Sequence, residues 1–172
     1  MDVDNLKVLV TEEEIAARVR ELAEEIRTAY EGQDLTIVGM LEDSFVFLSD
    51  LIRAINAPLK CYFLKASVQQ SGGHTDILYT TEFDLQGANI LLVGGILDRA
   101  TTIDYITRQM MARGAKEIRS CVFVDKPDYR TTDYKPEFVG FTRTEEMIVG
   151  YGLGLSNNFR YLPHLASVGG SQ

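Results

Sequence analysis

The sequence predicts an α/β protein in which a parallel sheet is flanked by helices and carries a small C-terminal hood. Apolar segments typical of buried strands alternate with segments of helical periodicity, which favours parallel strands joined by right-handed connections. The helical pattern stops after Asp125, and only short extended segments follow. Because 172 residues with 45% apolar types can bury one core, we expect a single domain over residues 1–172, with about 1–10 and 126–172 in the hood.

The first half of the chain predicts two helices and three extended segments. Thr11 and Glu14 form a capping box, and the apolar residues after it recur at steps of three and four. The predicted elements are a helix ending near Gly32, a strand at 35–39, a helix at 45–55 with Ser44 as N-cap, a strand at 59–64 and an extended segment at 77–83. The polar stretch 67–76 has no apolar anchor, so we expect a mobile loop there.

The second half predicts one more strand, helix and strand before the hood. Residues 89–93 are a continuous apolar strand, and Gly94 and Gly95 are expected to open the turn after it. A helix starting at Thr101 or Thr102 is predicted to reach about residues 113–114 and to lead into a strand at 118–124. The extended segments assigned to the hood are 137–141, 147–149 and 165–168.

Composition and charge exclude several classes of function. The chain has 17 Lys and Arg against 25 Asp and Glu, and its net charge of -8 repels a phosphate backbone, so we expect no nucleic-acid partner. Acids at the N-terminus and the lack of an apolar run near 20 residues favour a cytoplasmic protein with no membrane partner. Cys61 and Cys121 are expected to be reduced core thiols, and the spacing of His74 and His164 predicts no zinc site.

The segment 94–102 is the first candidate for a binding site. Ligands of open parallel sheets bind beyond the carboxyl ends of the strands, and this segment follows such a strand. Its small residues and hydroxyls lead into a helix N-terminus, whose free N–H groups suit a phosphate, and Arg99 adds a positive charge. A plain strand-to-helix turn with a Thr cap is the alternative interpretation.

Several motifs together resemble the hypoxanthine-guanine phosphoribosyltransferases. The most specific are Asp125-Lys126-Pro127 after a strand and Val149-Gly150-Tyr151-Gly152-Leu153 with Phe159-Arg160-Tyr161-Leu162-Pro163 behind it. The segments 39–45 and 94–102 match in order and spacing, so the resemblance covers roughly residues 10–168. It implies the type I phosphoribosyltransferase fold and the purine-salvage reaction, in which phosphoribosyl passes from phosphoribosyl pyrophosphate to N9 of a 6-oxopurine with magnesium.

The resemblance also implies roles for individual residues. Asp98 matches the general base, Lys126 matches the lysine that donates to the purine O6, and Arg160 matches an arginine that contacts pyrophosphate. Ile148 matches the backbone that recognises the purine edge, and Met147 replaces an aromatic residue that stacks on the base. The residues expected to hold the nucleotide 5′-phosphate are Asp98, Arg99, Ala100, Thr101 and Thr102. For Arg160, a surface pair with a carboxylate is an equally good interpretation.

Five sites depart from the family pattern, all in the reaction centre. Gly94 and Gly95 replace two acidic residues that hold the ribose hydroxyls and the water shell of the metal, and Gly154 replaces an aspartate. The other departures are Glu42-Asp43 for Lys-Gly, Val68-Gln69 for the Ser-Tyr of the flap, and Arg99-Ala100 for Thr-Gly. Because transfer depends on preorganised charges, this degenerate site predicts strongly impaired transfer.

Two hypotheses follow for the function. In the first, the chain binds a purine nucleotide or a partner through the old site and transfers no phosphoribosyl. In the second, it is an active 6-oxopurine phosphoribosyltransferase in which Glu42 and Asp43 recruit magnesium, although a solvated loop tip is the simpler interpretation of these acids. A different phosphorylated ligand and a purely structural subunit are further possibilities. Apart from Glu42 and Asp43, no metal-ligating residue is predicted. The apolar positions in residues 45–55 predict a homo-oligomer.

Overall fold

A six-stranded sheet forms the centre of the computed structural model, which describes residues 6–68, 75–79, 83–156 and 158–169. Its strand order is β4-β3-β2-β5-β6-β7, and a second sheet has the order β1-β9-β8. The strands of the described residues are β1 (Leu6–Val10), β2 (Thr36–Leu41), β3 (Lys60–Val68), β4 (Thr75–Tyr79), β5 (Asn89–Leu97), β6 (Glu117–Asp125), β7 (Phe138–Thr142), β8 (Ile148–Val149) and β9 (Leu165–Val168). The helices are α1 (Glu12–Ala29), α2 (Phe45–Ile55) and α3 (Thr101–Ala112).

The large sheet confirms the predicted α/β class. Strands β3, β2, β5, β6 and β7 are parallel to one another, and only the edge strand β4 is antiparallel to its neighbour β3. The residues of β5 from Asn89 to Gly95 are all buried, as expected for a central strand with helices on both faces. Among the described residues, no helix combines the length and apolar composition needed to cross a membrane.

Local sequence signals place the helices well. The capping box of Thr11 and Glu14 is present in both directions, and α1 buries its apolar stripe. Helix α2 has the predicted bounds, but the Ser44 hydroxyl donates to the Met40 carbonyl at 2.6 Å and makes no cap bond. One apolar cluster fills the space between the sheet, α1 and α2, and another lies between the sheet and α3.

Strands β3, β4 and β5 have other bounds than predicted, mainly because pairing with neighbouring strands extends them. Strand β5 continues to Leu97, so Gly94 and Gly95 lie inside a strand and do not open a turn; Ile96 and Leu97 still pair with β6. Strand β3 continues to Val68 and β4 begins at Thr75, so both ends of the predicted loop 67–76 are strands. Residues 69–74 lie outside the described residues, and β4 ends at Tyr79 rather than at residue 83.

The hood prediction is wrong for one of its segments. Strands β1, β8 and β9 form the separate small sheet, but β7 is the last strand of the large sheet. Phe138 pairs with Cys121 of β6, and Phe141 packs edge-on against Phe123 with ring centroids 5.7 Å apart. The burial of these aromatic residues explains why β7 joins the main core. Both cysteines are free, and Cys121 is buried.

Candidate functional site

A cavity of about 180 Å³ lies at the carboxyl ends of β2 and β5. The loop after β2, which carries Glu42 and Asp43, and the beginning of α3 line this cavity. Gly94 and Gly95 line it as well. The position agrees with the rule that ligands of parallel sheets bind at the carboxyl edge.

The predicted phosphate loop, residues 98–102, leads into the N-terminus of α3 and includes its first residues. Asp98 and Arg99 are exposed, and Ala100 precedes the helix in the left-handed conformation with φ 63°. The Asp98 carboxylate accepts a hydrogen bond from the Arg99 backbone N–H at 2.5 Å. Asp98, Ala100, Thr101 and Thr102 line the cavity, so the first-turn N–H groups of α3 lie beside it.

The predicted base-recognition residues lie together, beside the phosphate loop. Lys126 follows β6, and its backbone N–H donates to the Leu97 carbonyl at 2.8 Å, so this lysine lies beside the end of β5. Its ammonium is buried, donates to the Glu146 carbonyl at 2.9 Å and lies 4.1 Å from the ring centroid of Tyr129. Glu146 immediately precedes Met147, which is 39% exposed, and the buried Ile148.

An ion pair that sequence reasoning missed joins these two segments. The Arg130 guanidinium pairs with the Asp125 carboxylate, and both side chains are nearly buried. Arg130 also donates to the Asp98 carbonyl at 2.9 Å, and the Thr131 N–H and hydroxyl donate to the Arg99 carbonyl at 3.2 and 3.1 Å. The sequence held one signal: Asp125 ends an apolar strand, where a buried acid needs a cation.

The acids of the β2 loop are paired with cations of the protein. Glu42 accepts a hydrogen bond from the Lys65 ammonium at 2.7 Å, and this bond lowers the pKa of the Glu42 carboxyl. Arg160 donates to Asp43 at 2.5 Å and to the Gly152 carbonyl at 2.6 Å. The structure thus places Arg160 against the acidic loop, and the interpretation of this arginine as a carboxylate partner holds.

The glycines that replace family acids differ in the space around them. A Cβ atom at Gly95 would lie 2.7 Å from the Asp43 carbonyl oxygen, a distance that real structures do not show. A Cβ at Gly94 would meet nothing closer than the Val122 side chain at 3.6 Å. A Cβ at Gly154 would lie 2.8 Å from Nε of Arg160. Asp43 and Arg160 therefore fill the space above Gly95 and Gly154.

The donor set fits a magnesium ion poorly. The described residues contain no group of three His, Cys, Asp or Glu side chains that could hold a metal ion. Three carboxylates line the cavity, those of Glu42, Asp43 and Asp98. Glu42 and Asp43 already pair with Lys65 and Arg160, and no carboxylate fits at residue 95 without displacing the loop.

Comparison with known proteins identifies the family and supports the fold. The phosphoribosyl transferase domain family matches residues 6–154. A hypoxanthine-guanine phosphoribosyltransferase of Aquifex aeolicus is 36% identical over 168 residues, covering 95% of this chain and 94% of the relative. A hypoxanthine phosphoribosyltransferase of Salmonella typhimurium is 34% identical over 169 residues, covering 95% of each chain.

Solved structures give the same assignment. The crystal structure of a hypoxanthine-guanine phosphoribosyltransferase from Bacillus anthracis superposes with a TM-score of 0.89 at 34% identity, covering 95% of this chain and 99% of that chain. The class defined by fold and site is thus a type I phosphoribosyltransferase domain. Within that class, the chain belongs to the hypoxanthine-guanine phosphoribosyltransferase family.

Proposed function

We propose that this chain binds a 6-oxopurine nucleoside monophosphate and that its phosphoribosyl transfer is strongly impaired. One observation carries the proposal: the Lys126 segment and the loop of Asp98 are held together by hydrogen bonds, while the acidic loop is engaged in ion pairs of the protein. The groups that would hold a base and one phosphate are assembled. The groups that would stabilise transfer are missing or occupied.

Recognition of the base depends on the Lys126 ammonium. An ammonium has three donors and no acceptor, and the Glu146 carbonyl takes one of them. A remaining donor can bond a purine O6, whereas the amino group of adenine offers it no acceptor. Because Lys126 is 4% exposed, such a bond forms in a largely desolvated environment, where a buried polar group left without a hydrogen-bond partner costs about 1–3 kcal/mol.

Recognition of the phosphate depends on the start of α3. Ala100 is the N-cap residue, and Thr101 and Thr102 lie in the first turn, whose N–H groups have no partner within the helix. The positive end of the helix dipole adds to their attraction for an anion. Asp98 remains as an exposed acceptor beside the loop, where the family resemblance places a general base.

Transfer requires more than these two subsites. Stabilising a developing positive sugar and a leaving pyrophosphate needs charges that are already in place, and such preorganisation is usually the largest catalytic term. Residues 94 and 95 carry no side chain, and the loop facing the cavity carries two carboxylates. The active alternative, with magnesium recruited by Glu42 and Asp43, would first have to break their pairs with Lys65 and Arg160.

Calorimetry of IMP, GMP and AMP tests the binding half of the proposal. We expect AMP to bind roughly ten- to a hundredfold more weakly than GMP, and Lys126→Ala to erase most of this preference. The matched control is Lys116→Ala, because Lys116 lines a cleft elsewhere on the protein, away from the carboxyl edge. Equal affinity for the three nucleotides, or no binding of any, contradicts the proposal.

An activity assay tests the second part of the proposal, that phosphoribosyl transfer is strongly impaired. Hypoxanthine, phosphoribosyl pyrophosphate and magnesium are incubated with the protein, and IMP is measured. We expect turnover far below about 10 per second, the median for enzymes. Steady turnover near that value would instead establish the active alternative.

We also propose that the chain forms a homo-oligomer. Phe45 and Tyr161 are 47% and 74% exposed, and they line one apolar surface depression together with Val46, Leu162 and Pro163. Contiguous exposed apolar side chains of this kind are typical of protein–protein contacts. In a structural relative, the hypoxanthine phosphoribosyl transferase of Trypanosoma cruzi, the C-terminal region has a role in the oligomeric state.

A further inference from the structure

The Lys126 ammonium lies against an aromatic ring to which the family resemblance assigns no role. Its nitrogen is 4.1 Å from the ring centroid of Tyr129, well within the distance of about 6 Å at which an aromatic face attracts a cation. Lys126 is buried, and this attraction is strongest where water is excluded. Tyr129 itself is 39% exposed, so part of its ring remains open to solvent while it covers the lysine.

The turn after β6 brings the ring and the ammonium together. Residues Pro127–Tyr129 form one turn of 3-10 helix, a geometry in which side chains three positions apart nearly eclipse. The Tyr129 N–H donates to the Lys126 carbonyl at 3.1 Å, and Pro127 occupies the first position of the turn, where a missing N–H is tolerated. The contact is therefore built into the local backbone and needs no ligand to form.

Both side chains also reach the segment that leads to Met147. The Lys126 ammonium donates to the Glu146 carbonyl at 2.9 Å, whereas the Tyr129 hydroxyl lies 3.5 Å from the Thr144 carbonyl. An O–H donor normally lies within about 3.0 Å of its acceptor, so the hydroxyl contact is weak. The aromatic ring, rather than the hydroxyl, is the part of Tyr129 that can act on the lysine.

These contacts direct two of the three N–H donors of the Lys126 ammonium. One donor points to the Glu146 carbonyl, and the face of the Tyr129 ring attracts a second. Because the three donors have a fixed tetrahedral arrangement, orienting two of them also sets the direction of the third. An acceptor placed in that direction forms its bond without a further reorientation of the lysine.

We propose that Tyr129 is a positioning residue for base recognition: its ring sets the direction of the one Lys126 donor that remains for a purine O6. The inference rests on the proposed function, because it concerns the lysine that recognises the base, and it adds the residue that orients this lysine. An aliphatic side chain at residue 129 would leave a buried donor unmet, which favours other orientations of the ammonium.

Calorimetry of GMP and AMP with two substitutions of Tyr129 tests this role. We expect Tyr129→Leu to weaken GMP binding about fivefold to tenfold and AMP binding less than about twofold, so that the preference for GMP falls. Tyr129→Phe should retain the preference, because it keeps the ring and removes only the weak hydroxyl contact. Tyr105→Leu is the matched control, since Tyr105 on α3 is equally exposed at 39%, and it should change neither affinity.

Proton NMR of the wild type without nucleotide tests the contact even if Tyr129→Leu fails to fold. Protons above an aromatic ring resonate upfield, so the Cε protons of Lys126 should lie upfield of those of the other lysines. Lys126→Ala identifies their signal by removing it, and Tyr129→Phe should keep the shift. An unshifted signal in the wild type overturns the inference.

The binding results distinguish a failure of this inference from a failure of the proposed function. If the wild type prefers GMP and Tyr129→Leu keeps the full preference, only the inference is overturned. A loss in Tyr129→Phe as large as in Tyr129→Leu also overturns it, because the ring would then not be the active part. Equal binding of GMP and AMP by the wild type overturns the proposed function, and the inference with it.

Discussion

Adjacent glycines that look equivalent in the sequence have different structural roles. Gly94 has ordinary van der Waals space above it, whereas Gly95 is in contact with the backbone of Asp43. Neither glycine adopts a left-handed conformation, because neither has a positive φ. The two positions therefore differ in packing alone, so the same substitution should change the stability of the protein differently at each position.

Alanine at these two positions should give opposite results. Gly95→Ala is expected to destabilise the protein by about 1–3 kcal/mol, because the new methyl group must push the loop of Asp43 away. Gly94→Ala should be neutral or stabilising by up to about 1 kcal/mol, since it restricts the unfolded chain and meets only the Val122 side chain. Urea unfolding of both variants measures the difference. Equal stabilities would show that the loop does not pack on Gly95.

Local motifs allowed candidate residues to be named from the sequence, whereas contacts between distant residues could not be predicted. The sequence singled out Lys126, Asp98 and Arg160. It could not show that Arg160 pairs with Asp43, because 117 positions separate them and only the fold brings them together. The contact of Arg130 with the Asp98 carbonyl could not be predicted for the same reason, because 32 positions separate the two residues.

At the scale of elements, the segment after β6 holds the loop after β5 in place. The contacts are the Lys126 and Thr131 N–H bonds and the Arg130 guanidinium, which reaches both Asp125 and the Asp98 carbonyl. This clamp sets the distance between the predicted base subsite and the start of α3. Its loss should affect stability and nucleotide binding together.

Arg130→Gln is expected to cost about 3 kcal/mol of stability, because it leaves the nearly buried Asp125 carboxylate without its cation. GMP should bind at least about tenfold more weakly, as the loop loses its support. Arg108→Gln is the matched control: it breaks an exposed pair with Asp104 on α3 and should cost less than about 1 kcal/mol. Urea unfolding and calorimetry measure both effects, and equal costs in the two variants would contradict the clamp.

The elements themselves were predicted unevenly. Helices α1 and α2 were located correctly because apolar periodicity, and for α1 the capping box as well, are local signals. The end of β5 was misplaced because a glycine pair favours a turn locally, while pairing of Ile96 and Leu97 with β6 continues the strand. Whether an extended segment joins the large or the small sheet is equally non-local, which explains the misassigned β7.

At the scale of the whole molecule, several weak acids are buried in the core in their neutral form. Burial raises the pKa of the Cys121 thiol and of the Tyr30 and Tyr151 hydroxyls well above their ordinary values. Tyr30 donates to the Ile90 carbonyl at 3.1 Å, and Tyr151 donates to the Asp50 carboxylate, so both hydroxyl protons are used in the fold. Ionisation of any of these groups opposes folding.

These groups predict that the protein loses stability in alkali. Their folded pKa values lie above the unfolded ones, so the stabilisation is complete below the unfolded values of about 8.5 for Cys and 10 for Tyr, and it falls as the pH rises further. Each group then contributes a slope of about 1.4 kcal/mol per pH unit to the free energy of unfolding. Urea unfolding between pH 7 and 11 measures the slope, which Tyr30→Phe should reduce. A flat profile up to pH 11 would mean that the unfolded chain does not ionise these groups more readily than the fold does.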